Sequence, residues 1–243
     1  MNRRILLASV LTAAICPAVR ADEPAAEVPP FAPTDQYDTV DVAGWRVLVL
    51  RSVPVEHPET HAETMVHLQH QLYQIVRRLP AEAVEKVRQI PIWVEHDEPH
   101  HPCMCYHPDA GWLRDNGMNP DKAGAVEIAN AGNFLTWTID QPWMVLHELA
   151  HGYHHQFLER GFDNAEVLAC FEKSMAERRY DEVQRISGRN ERAYAATNQM
   201  EYFAEASEAL FGANDFYPYV RAELQQHDPD FHALLEKLWL VRE

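Results

Sequence analysis

Basic residues are scarce. The 243-residue chain carries 21 lysines and arginines against 37 aspartates and glutamates, a net charge of −16 with histidine neutral. That balance argues against nucleic acid and against an anionic membrane surface as partners, because both require a basic face. Long apolar runs are also lacking. The one candidate, residues 5–15, falls short of a membrane span. Arg3 and Arg4 precede it, small residues follow, and Val19-x-Ala21 offers a cleavage site, so residues 1–21 read as a secretory signal peptide. Cys16 follows Ile15 rather than a small residue, which argues against lipidation. The expectation is a secreted or periplasmic protein with no stable membrane insertion once the signal is cut. Cleavage removes three arginines and no acid, taking the net charge from −16 to −19.

Cysteine is sparse as well. Beyond the signal only Cys103, Cys105 and Cys170 remain, enough for one disulfide in an oxidising compartment, with the pairing left open. Internal repeats and a second composition regime are absent, so the simplest organisation is a proline- and alanine-rich flexible leader, residues 22–35, and a single domain over residues 36–243.

What is present centres on residues 143–155, where His147-Glu148-x-x-His151 is an H-E-x-x-H pattern. Residues four apart on a helix share a face, so both imidazoles can reach one ion, while Glu148 projects beside them to hold water. Asp140 or Gln141 is expected to cap this helix, with Pro142 in its first turn and Gly161 at its end. Val145, Leu146, Leu149, Tyr153 and Phe157 form a separate apolar side.

A catalytic zinc ion takes three protein ligands and leaves one position open. The third-histidine pattern H-E-x-x-H-x-x-G-x-x-H is excluded, because positions 154 and 157 are His and Phe. The better source is the helix expected between Asn198 and Gly212, where Glu201, Glu205 and Glu208 share a face. Glutamates so spaced usually form a solvated face, and Asn198 with Glu201 has capping-box spacing. The upstream motif favours ligation, with Glu201 as third ligand and Glu205 hydrogen-bonded to a ligand imidazole.

Other elements read coarsely. A hairpin turning at Gly44, helices over residues 59–79, 81–88 and 163–179, strands over 90–94 and 124–130, and two short C-terminal helices predict an α+β class, mainly helical, with a small mixed sheet. The strand at 124–130 places Val126 and Ile128 on one face and Glu127 on the other. It could pair with an extended substrate, or it could be an ordinary sheet strand. Residues 96–108 are dense in histidine and cysteine. They could hold a second metal, although three prolines and an unfamiliar spacing speak for a disulfide-tied surface loop.

Together, His147-Glu148-x-x-His151, Glu201-Tyr-Phe-Ala-Glu205-Ala and Tyr194, seven positions before Glu201, resemble the zinc peptidase domain of anthrax lethal factor and the related Pro-Pro endopeptidases. The resemblance covers about residues 120–212. It implies a zincin-like gluzincin fold and one zinc ion on His147, His151 and Glu201. It also implies Glu148 as general base, Tyr194 as oxyanion donor, and a peptide or protein substrate. His154 and His155 have no counterpart role. The expected activity is therefore a secreted zinc metalloendopeptidase in which Glu148 assists attack by zinc-bound water. The alternatives are a zinc-binding scaffold without catalysis, or a hydrolase of a non-peptide amide such as a cell-wall crosslink.

Overall fold

The computed structural model describes residues 31–241. The expected signal peptide and most of the expected leader lie outside the described residues. The described end of the leader is tied down: Asn119 donates from Nδ2 to Ala32 O and to Thr34 Oγ1, both at 3.1 Å.

The chain is α+β and mainly helical, with a small mixed sheet. Strands β1 (Tyr37–Val42) and β2 (Trp45–Leu50) form the expected hairpin, closed by Ala43 and Gly44 with φ of 54° and 90°. Two positive φ values match the primed turn that twists with the strands. Next come α1 (Ser52–Glu56), the long α2 (Pro58–Arg78) and α3 (Ala81–Val87), which lead into β3 (Ile92–Val94). The His- and Cys-rich segment ends not in a loop but in a strand, β4 (Met104–His107). Helix α4 (Ala110–Asp115), strand β5 (Ala125–Ile128) and helix α5 (Ala131–Trp137) precede the H-E-x-x-H helix, α6 (Met144–Phe157). Beyond it lie α7 (Ala165–Ala176), a small β6/β7 hairpin (Val183–Gln184, Asn190–Glu191), α8 (Gln199–Phe211), α9 (Arg221–His227) and α10 (Pro229–Leu238).

The five-stranded sheet runs β1-β2-β3-β5-β4, parallel at β2/β3 and β3/β5 and antiparallel at both ends. Val47, Val49, Ile92, Val94, Val126 and Ile128 join the helices in one main core. On the opposite face Leu48, Trp93, Tyr37 and Ala125 form a smaller cluster. Both faces of β5 are therefore covered, so its alternation does not mark an exposed side.

Helix α6 lies against the sheet because residue 152 is glycine: a Cβ there would fall 2.6 Å from Ile90 Cδ1 and 3.1 Å from Tyr106 Cε2. Its start differs from expectation. Trp143, not Asp140 or Gln141, occupies the cap position, and it makes no side-chain cap bond. Residues 140–142 instead turn ahead of it, with Met144 N–H donating to Gln141 O. Gly161, with φ 56°, lies beyond the end of the helix, in the turn that follows it. Among the described residues no helix is long and apolar enough to cross a membrane.

Candidate metal centre and cleft

Helices α6 and α8 build the site together. Trp143 abuts Gly212, His147 meets Glu208 and His154 packs on Phe203, so the two helices run antiparallel. Asn198 fixes the start of α8, accepting from the backbone N–H of Met200 and of Glu201 at 2.9 Å. Only half of the capping box forms, because the Glu201 side chain turns away towards α6.

Three side-chain atoms meet there. His147 Nε2 is 3.1 Å from His151 Nε2 and 3.1 Å from Glu201 Oε2, and His151 Nε2 is 3.2 Å from the same oxygen. The imidazoles are largely buried, with side chains 12% and 11% exposed. Zinc ligands about 2.0–2.1 Å from a tetrahedral ion stand about 3.3 Å apart, so this nearly equilateral triangle fits such an ion with little movement.

The other nitrogen of His147 is partnered as well. Nδ1 lies 2.8 Å from Glu208 Oε1, a carboxylate oxygen that accepts its proton. A neutral His147 then turns the Nε2 lone pair towards a carboxylate and a second imidazole. Such an arrangement is repulsive unless a proton or a cation sits between the three atoms. Without an ion, the proton is the only choice. Burial disfavours a charged His147, but the bonds to Glu201 and Glu208 outweigh burial and hold its pKa well above the ordinary histidine range. Burial likewise opposes ionisation of Glu201, and both imidazoles overcome it, holding the carboxyl far below its usual range.

The hydrogen bond expected from Glu205 is made by Glu208. Glu205 Oε1 stays 4.0 Å from His147 Nδ1, and its Oε2 accepts instead from Asn214 Nδ2 at 3.0 Å. Because the helices are antiparallel, the start of α6 is level with the end of α8, and this brings the residue one turn further along to the back of His147. Burial, then the neighbouring Glu208, pushes Glu205 up to about 8. Burial raises Glu208 too, but the short contact with His147 Nδ1 lowers it, and that contact makes Glu208 the acceptor.

Glu148 and Tyr194 stand on the rim of a cleft of about 320 Å³ that the triangle also lines. Glu148 Oε2 accepts from the backbone N–H of Tyr106 at 2.8 Å, which fixes the carboxylate against strand β4. Burial raises the pKa of Glu148, and the two imidazoles pull the other way. Tyr194 opens a short 3-10 turn, is 48% exposed, and lays its ring over His147 with centroids 6.3 Å apart. Burial and Glu201 push its hydroxyl up to about 12, so it is a donor at any physiological pH.

No family model, curated protein or solved structure matches this chain. The candidate site therefore stands on its own geometry.

Val126, Glu127 and Ile128 cannot add a substrate strand. Strand β5 is paired on both edges, with β3 and with β4, and all three side chains are fully buried. Beyond β5 the sheet ends in edge strand β4, and residues 103–106 line the cleft. The sequence signal for β4 is weak because its neighbours are His-, Cys- and Pro-rich. His154 and His155 stay away from the triangle. His154 is buried against Phe162 and Phe203 with neither nitrogen partnered, and His155 Nδ1 meets Tyr106 Oη at 2.8 Å. Cys103, Cys105 and Cys170 are all free thiols, with no disulfide among them.

Proposed function

We propose that the chain is an exported zinc metalloendopeptidase of zincin-like, gluzincin type, with one zinc ion held by His147, His151 and Glu201. The observation that carries this reading is the triangle of two imidazole nitrogens and a carboxylate oxygen at 3.1–3.2 Å, with a carboxylate and a phenol beside it in one cleft. A bound zinc ion would supply Lewis-acid activation of water and of the substrate carbonyl.

The protein's own groups supply the rest. Glu148 takes the proton of the attacking water and returns it to the departing amine, and its raised pKa suits both transfers. Tyr194 donates its hydroxyl proton towards the carbonyl oxygen as negative charge develops there. Glu208 keeps the His147 proton on Nδ1, which leaves Nε2 as the ligand atom. The outer edge of β4 offers backbone groups to an extended chain, which favours a peptide over a compact amide.

Glu148→Gln decides the reading. The variant should retain the zinc content of the parent and lose peptide hydrolysis by a factor of about 10² or more. Hydrolysis at the parent rate would remove Glu148 from the reaction. Cleavage of peptidoglycan fragments but no peptide would move the substrate class to a cell-wall amide, and zinc binding with no hydrolysis at all would leave a scaffold.

A further inference from the structure

On the face of the sheet turned from α6, behind the edge strand that borders the cleft, lies a second set of donor atoms. His101, Cys105 and His107 each bring one ligand atom within 4.8 Å of the other two. Cys105 and His107 alternate on β4, so both point to the same side, and Cys105 Sγ is 3.5 Å from His107 Nε2. His101 comes from the preceding loop, its ring 5.2 Å from that of His107, and its Nε2 is buried without a hydrogen-bond partner. A buried ring nitrogen with nothing to bond to is costly unless a ligand takes it up. Beside the cluster Glu127 Oε2 sits 2.6 Å from His107 Nε2, which makes it the nearest fourth donor.

The charge around these atoms also favours a cation. Glu127 and Glu95 are both buried and share a single ammonium, that of Lys122, while Tyr37 donates its hydroxyl to Glu95. With every group in its ordinary ionisation state, two carboxylates and one ammonium leave one negative charge unbalanced in the interior. A divalent ion bound with loss of the Cys105 proton brings that balance to zero. Two imidazoles, a thiolate and a carboxylate form a borderline-soft, four-donor set, and each donor is of a type that binds zinc.

We propose that His101, Cys105 and His107, with Glu127 as fourth donor, form a second, structural zinc site that pins the loop before β4 onto the outer face of the sheet. On binding, the Cys105 S–H bond breaks, the sulfur electron pair bonds to the metal and the proton passes to solvent. Its ligands are distinct from those of the proposed catalytic centre, none of which is a sulfur atom.

Cobalt(II) reports the two sites separately, because only a thiolate ligand gives a sulfur-to-cobalt charge-transfer band in the near ultraviolet. The mature chain, reduced and freed of metal, is titrated with Co²⁺. Two equivalents are expected, one of them raising the band. Cys105→Ser should abolish the band and one equivalent, whereas Cys103→Ser and Cys170→Ser should keep both. His101→Ala, in the loop before β4, should weaken the band-forming equivalent by at least roughly tenfold. Glu201→Gln should weaken the other equivalent and leave the band intact, which separates failure of this site from failure of the catalytic one. Absence of a charge-transfer band in the parent, or its persistence in Cys105→Ser, would overturn the proposal.

Discussion

Glu205 and Glu208 lie on one face of one helix and are equally buried, yet only Glu208 touches the imidazole. Their substitutions should therefore separate. Glu208→Gln replaces the acceptor of the Nδ1 proton with a weaker one, and loss of such a partner typically costs about 10–100-fold in metal affinity. Glu205→Gln changes a group that hydrogen-bonds Asn214 and stands 4.0 Å from the imidazole, so zinc affinity should change less than about threefold on the same scale. Competition with a chromophoric chelator measures both, and equal losses would refute the assignment. The sequence made the three glutamates visible as a set through their helical spacing. It could not choose between Glu205 and Glu208, because the choice depends on how far α8 slides along α6, and that is settled by packing between residues far apart in the chain.

At the scale of elements, the relative position of α6 and α8 is held where they meet end to end. A Cβ on Gly212 would lie 2.1 Å from Cε2 of the Trp143 ring, the residue that caps α6. An indole wedged against a helix end cannot swing aside as a flexible chain would. Gly212→Ala should therefore cost about 1–3 kcal/mol of stability by overpacking and should also weaken zinc binding, since it shifts the start of the helix that carries His147. Gly132→Ala is the matched control. It sits in α5, its nearest contact would be 3.6 Å away, and alanine there should be neutral or stabilising by up to about 1 kcal/mol. Denaturant unfolding of the two variants tests the contrast. The ends of α8 were legible because Asn198 and Gly212 are local signals that act through the backbone beside them. Strand β4 and helix α5 were not. Each is short, and β4 exists because β5 pairs with it, a partnership that no local pattern encodes.

For the molecule as a whole, the abundance of histidine has a consequence separate from catalysis. Burial lowers the pKa of His67, His101, His154, His155, His227 and His232, so the folded chain resists taking up protons that the unfolded chain accepts. His154 is the strongest case: fully buried, with neither nitrogen partnered, it is pushed down to about 3. A depressed histidine contributes its full stability above its unfolded pKa of about 6.5 and loses it as pH falls towards the folded value. Between those limits one such group changes stability by about 1.4 kcal/mol per pH unit. In metal-free protein His147 has the opposite sign. Its raised pKa gives stability that is complete below the unfolded value and disappears as pH rises through the folded one. Comparing the parent with His154→Leu cancels that term, because both chains keep His147. The leucine variant fills the same apolar space between Phe162 and Phe203, so its unfolding free energy should fall less steeply than the parent's between pH 6.5 and pH 4.5, by about one proton's worth of slope. Parallel stability curves for the two proteins across that interval would show that His154 takes up its proton in the folded state as readily as in the unfolded one.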